Sequence, residues 1–182
     1  NPLGGLPRRA TYINQVKSSG IDPILVDAGD SMFESYYFAK GKEASAKLRA
    51  KTVMKHTSRM GDYYYNVGVQ DFTAGLSFIK EIEKESNVNF LSANLYDIKS
   101  DTLLFKKHII LERNNLKIGM FGVVRELQTD LKDVRVDDYI STAKQKINEL
   151  RSEVDILVML VNATQTHLGP KIKELDGIDY IF

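Results

Sequence analysis

Short apolar runs alternate with segments of helical period along almost the whole of this chain, and that alternation leaves few architectures open. Helices are expected over Leu6–Ser18, Lys42–Arg59, Thr73–Glu85 and Ile140–Ser152, with a short one near Lys171–Leu175. Strands are expected at Pro23–Ala28, Tyr63–Val69, Asn89–Ala93, Asp155–Val161 and Ile178–Phe182, and Phe105–Glu112 pairs with Leu116–Val123 as a hairpin across "RNN". Strands separated by helices close into parallel pairs, while the hairpin adds an antiparallel part. The expected class is therefore α/β, with a largely parallel sheet.

With 182 residues, 43% of them hydrophobic, the chain can bury one sizeable core, and residues 1–182 read as one domain. Lys and Arg number 25 against 24 Asp and Glu, a formal charge of +1, so no basic field points to nucleic acid. Cysteine is absent, which removes disulfides, thiolate ligands and cysteine nucleophiles from these residues. The longest apolar runs, Ile118–Val124 and Ile156–Val161, fall far short of the roughly 20 residues that span a bilayer. The chain opens on Asn-Pro-Leu-Gly-Gly and stops on "GIDYIF", and is expected to be part of a longer protein, truncated at both ends.

In such folds the working groups gather in loops at the carboxyl ends of strands. Here those loops read "DAGDSMF", "GVQDFTAG", "SANLYD", "GVVRELQTD" and "NATQTHLG", and they carry Asp, Asn, Gln and His close to the strand ends. Asp27 and Asp30 bracket Gly29, and a carboxylate just beyond a strand can present its oxygens to one or two hard cations. The ordinary use of such residues is an Asx turn or a helix N-cap. No strand is followed by a dinucleotide-binding or Walker glycine pattern, and the G-x-S-x-G of a serine hydrolase is missing too.

Taken in order, "GGLPRRATYINQVKSSGIDPILVDAGD", "GDYYYNVGVQDFTAGLSFIKE", "FLSANLYD", "LKIGMFGV" and "GIDYIF" resemble the calcineurin-like metallophosphoesterase domain of the 5'-nucleotidase, UshA-like family. The resemblance covers nearly the whole chain. It implies a mixed β-sheet sandwich flanked by helices, in αββα layers, and two divalent metals, Mn, Zn or Mg, that activate water against a phosphate ester. By the family's motifs Asp30 matches the bridging metal ligand and Asp27 a supporting one. Where the family has Gly-Asn-His-Glu-Phe-Asp, this chain has Gly68-Val69-Gln70-Asp71-Phe72, so Gln70 and Asp71 stand at the catalytic positions. Val69 has no donor atom, and Gln70 offers only a neutral hydrogen bond. The next metal position falls on Asn162, or on His167 if the loop is shortened, and Asn94 of "SAN" is the substrate-binding candidate. The resemblance further implies a periplasmic or extracytoplasmic location, a phosphorylated small molecule such as a nucleotide as substrate, and a C-terminal nucleotide-recognition domain outside these residues.

Two functions follow. One is a metal-dependent phosphoester hydrolase whose activity is weakened or lost, because the metal motifs are degenerate. The other is a non-catalytic binding protein, or a redox-associated relative with a redox partner and no metal cofactor, using the same loops. His56 and His108 fall on a helix and a strand, where surface or packing roles are the ordinary ones. Tyr36, Tyr37 and Tyr63–Tyr65 read as core and rim packing, and Arg8 and Arg9 as a solvated helix face.

Overall fold

The computed structural model describes residues 5–127 and 131–182. Along the chain run α1 (Leu6–Ser18), β1 (Leu25–Asp27), α2 (Glu43–Thr57), β2 (Tyr63–Asn66), α3 (Leu76–Glu85), β3 (Asn89–Leu91), β4 (Leu95–Asp97), β5 (Thr102–Leu103), β6 (Ile109–Arg113), β7 (Leu116–Val124), β8 (Val134–Val136), α4 (Tyr139–Leu150), β9 (Ile156–Asn162), α5 (Gln165–Leu168) and β10 (Tyr180–Ile181). Short 3-10 helices occupy Gln70–Ala74 and Gly169–Glu174. The strands form three sheets: parallel β1-β2-β3, mixed β10-β9-β7-β6, and a small antiparallel β5-β4-β8. Among the described residues no helix is long and apolar enough to cross a membrane.

Side chains that alternate along each strand explain the layering, because successive residues point to opposite faces of a sheet. Tyr63 and Tyr65 of β2, with Phe90 of β3, turn outward onto Met54 of α2 and Ile79 of α3. Tyr64 and Leu91 turn the other way and meet Met120 of β7 and Leu160 of β9, which makes the layer between the two larger sheets. Phe121 of β7, with Leu157 and Met159 of β9, faces Ile140 and Ala143 of α4. The result is helix, sheet, sheet, helix.

The hairpin forms as expected, since Asn114 and Asn115 take φ of 51° and 63°, and the tight turn favoured by strand twist needs positive φ at both central residues. Other boundaries differ for physical reasons. Strand β2 ends at Asn66 rather than Val69, because residues 67–71 fold back around the Asp71 carboxylate. The helix expected from Thr73 is split: Gly75 takes φ of 83°, so a 3-10 turn precedes α3. The sheet β5-β4-β8 was not expected, because strands of two or three residues carry no readable alternation. In the "GVVRELQTD" loop, residues 128–130 lie outside the described residues, as do residues 1–4, including the first glycine of "GGLPRRAT".

Gly122 marks a close approach between sheets β1-β2-β3 and β10-β9-β7-β6. A Cβ there would meet Asn66 Oδ1 at 2.3 Å and the Leu91 carbonyl oxygen at 3.1 Å. The Asn66 amide cannot easily move, since its Nδ2 donates to the Ala28 and Val123 carbonyls at 3.2 and 2.9 Å. Gly122→Ala should therefore cost about 1–3 kcal/mol, the usual range for overpacking. Chemical denaturation measures this, and a variant as stable as the parent would refute the close packing.

Candidate functional site

The carboxyl ends of β1, β2, β7 and β9 converge, and the loops that leave them are stitched together by carboxylates and amides. Asp71, completely buried, accepts from the Tyr65 hydroxyl at 2.7 Å and the Met32 amide at 3.3 Å through Oδ1. Its Oδ2 accepts from the Gly68 amide at 2.7 Å and the Asp30 amide at 3.2 Å. One side chain thus fastens the β1 loop to the β2 loop. Removal from water pushes Asp71 up to about 7, against the opposing pull of the Tyr65 hydroxyl and the Gly68 amide.

Asp27 ends β1 and closes on its own loop. It accepts from the Gly29 amide at 3.0 Å, the Ser31 hydroxyl at 2.7 Å and the Tyr63 hydroxyl at 2.8 Å. Gly29 and Asp30 then take φ of 108° and 63°. At Gly29 a side chain is barred by space as well as by conformation, because a Cβ would lie 2.8 Å from the Gly68 Cα. The two glycines let the loops cross in contact, and that crossing lifts Asp30 to the mouth.

Asp30 meets amide donors on both oxygens. Oδ1 accepts from the Gln70 backbone amide at 2.7 Å, and Oδ2 from Asn162 Nδ2 at 2.9 Å. The orientation of the Asn162 amide is fixed from its other side, where Oδ1 accepts from the Val69 backbone amide at 3.2 Å. A cleft of about 290 Å³ opens here, lined by Asp30, Tyr36, Gln70, Arg125, Asn162 and Thr164. A second, of about 380 Å³, shares Asp30 and Gln70 and continues past Glu34 and Arg49. Among the described residues no three His, Asp or Glu side chains group as a metal site would require.

The structure therefore brings Asp27, Asp30, Gln70, Asp71 and Asn162 together. Asn94 and His167 stand apart from them. Asn94 is buried and spends its amide on backbone, donating to the Val124 and Asp137 carbonyls at 2.6 and 2.9 Å and accepting from the Val124 amide at 3.0 Å. The His167 ring pairs with the Thr164 hydroxyl at 2.6 Å. Of the two positions considered for the strand-end motif, Asn162 is the one in contact with Asp30. Sequence reading took Tyr63 and Tyr65 as packing, which they provide, and missed that their hydroxyls hold Asp27 and Asp71. The signal was there in two tyrosines spaced by two beside strand-end carboxylates.

No family model matches the chain. It is 27% identical over 176 residues, 86% of its length, to a 2',3'-cyclic-nucleotide 2'-phosphodiesterase/3'-nucleotidase of Yersinia enterocolitica, and 23% identical over 177 residues, 91% of its length, to protein UshA of the same species. A calcineurin-like phosphoesterase of Bacillus subtilis superposes with a TM-score of 0.71 at 20% identity, covering 97% of this chain and 62% of that one. In sequence the chain is similar to these nucleotidase and UshA proteins, and in fold to the calcineurin-like phosphoesterase. Its fold is metallophosphoesterase-like. It spans 26% and 30% of the lengths of the two Yersinia relatives.

A carboxylate whose folded pKa lies above its unfolded one binds a proton in the native state that the unfolded chain has already released. For Asp71, native stability should fall as pH rises from 3.8 to about 7, and this contribution should be flat above that. Asp71→Asn should abolish the dependence, and at the acid end of the window should cost about 1–3 kcal/mol, because an amide NH₂ would face the Gly68 and Asp30 amides. Denaturation of both proteins across the window tests this; parallel pH profiles would count against it.

Proposed function

We propose that this chain is a 5'-nucleotidase/UshA-like metallophosphoesterase-fold domain in which phosphate-ester hydrolysis is weakened or lost, the loops serving to bind a phosphorylated small molecule such as a nucleotide. One observation carries the reading: Asp30, the residue matching a bridging ligand, has an amide donor on each oxygen. A divalent cation needs oxygen or nitrogen lone pairs turned toward it, and a two-metal centre needs several such groups at once. Around Asp30 the neighbours turn N–H groups inward instead, the Val69 side chain has no atom that can ligate a metal, and the Asn162 oxygen is committed to the Val69 backbone amide. These residues do not fit a two-metal centre.

What the loops retain is polar recognition. Gln70, Thr164 and Arg125 line the cleft beside Asp30, and the Arg125 backbone amide is held on the Asn162 carbonyl at 3.0 Å. A periplasmic or extracytoplasmic location goes with this proposal and rests on kinship to UshA. The redox alternative finds nothing in these residues to carry it, since none is a cysteine.

Calorimetric titration with Mn²⁺ and Zn²⁺, paired with an assay on p-nitrophenyl phosphate, tests the proposal. The expected results are no stoichiometric metal binding and turnover close to the buffer rate, with Asp30→Ala changing neither. Tight binding of metal, with turnover abolished by Asp30→Ala, would overturn it.

A further inference from the structure

An anion that enters the Asp30 cleft meets a carboxylate there, so another group has to attract it. Asp30 brings its charge to the wall of the cleft, and the two amide donors on it share that charge without cancelling it. Among the described residues that line this cleft, Arg125 is the one cation. Its place is set through the backbone. Arg125 follows β7, and its amide donates to the Asn162 carbonyl at 3.0 Å, which carries the β7–β9 ladder just past Val124. The side chain takes no part in that bond, so the position is held whatever residue stands there.

In the protein alone that guanidinium already has an anion. It pairs with the carboxylate of Glu126, the next residue, which lines the same cleft. The two side chains are 30% and 55% exposed, and an ion pair so open to water is weak and readily exchanged. A phosphate is the stronger partner, because it accepts two parallel N–H bonds from the planar fork. While Glu126 holds Arg125, the lining sets one cation, already paired, against the carboxylates of Asp30 and Glu126, and an incoming anion is repelled.

We infer that Arg125 is the residue that selects the phosphate in the Asp30 cleft, and that Glu126 is a built-in competitor that holds Arg125 until a phosphate displaces it. The inference rests on the proposed binding of a phosphorylated small molecule at these loops, and adds the residue that recognises the charge and the contact that limits its affinity. One guanidinium with two mutually exclusive partners makes the observed affinity a difference between them. Arg125 and Glu126 therefore act on ligand binding with opposite sign, and Glu126 acts only through Arg125.

The test is calorimetry on the whole chain with chelator present, AMP as the probe and adenosine, which carries no anion, as the control. Arg125→Gln should weaken AMP about tenfold, the loss of a charge-assisted contact. Glu126→Gln should tighten AMP by up to about fivefold, the usual worth of an exposed ion pair. The double variant should bind AMP as weakly as Arg125→Gln alone, because Glu126 has nothing left to compete for. Adenosine should bind the parent and all three variants alike. Both side chains are partly exposed and the Arg125 backbone bond remains, so the variants should keep the parent's melting temperature. If Glu126→Gln tightens AMP equally with Arg125 replaced, Glu126 is a general repulsive charge and the inference is overturned. If the parent binds AMP and Arg125→Gln leaves that affinity unchanged, the inference alone falls and the proposed function stands. If neither the parent nor Glu126→Gln binds AMP, the proposed function falls and takes the inference with it.

Discussion

The site depends on a carboxylate removed from water. Asp71 is completely buried at the point where two loops leave adjacent parallel strands, and it has four donors around it, three of them backbone amides from Met32, Gly68 and Asp30. Loop amides at the end of a sheet have no ladder to join, and left unpaired in the interior each would cost about 1–3 kcal/mol. Asp71 satisfies three of them with one side chain. Burial raises the proton affinity of that carboxylate while the donors lower it, so the fastening is obtained against an opposing desolvation cost.

From that fastening the rest of the site geometry follows. With the Asp30 and Gly68 amides both drawn to Asp71 Oδ2, the two loops come close enough that neither Gly29 nor Gly68 tolerates a side chain. The crossing turns Asp30 into the left-handed region, at φ of 63°, and aims its carboxylate across the sheet toward β9. Asn162, the last residue of β9, then closes the ring by donating to Asp30 and accepting from Val69. The ends of three strands, β1, β2 and β9, are joined by these side chains.

Much of the architecture was legible from the chain. Alternation along Tyr63–Tyr65 and Phe121–Val123 assigns each residue to a layer by period alone, and the structure sorts them that way, Tyr64 inward between the sheets and its neighbours outward under the helices. Motif likeness was enough to gather Asp27, Asp30, Gln70, Asp71 and Asn162. What could not be read was the direction of the hydrogen bonds. Whether the Asn162 amide turns its oxygen or its nitrogen toward Asp30 depends on the Val69 amide, 93 residues away along the chain. The short strands of β5-β4-β8 escaped for the opposite reason: they are fixed by pairing partners and carry almost no local pattern.

Val69 and Gln70 show how a turn can keep its frame whatever side chains stand at its tip. Both meet the rest of the site through backbone N–H, Gln70 to Asp30 and Val69 to Asn162, and a backbone amide is present whatever the side chain. Asp71, by contrast, acts through its own carboxylate, and Gly68 through having no Cβ. The positions in this turn thus divide into those whose side chains hold the loops and those whose side chains are free of that duty. Substitution at the second kind alters what the cleft can bind while leaving its frame intact. A turn with valine and glutamine at its tip is therefore mechanically coherent, and its chemistry has to be read from the atoms that face the cleft.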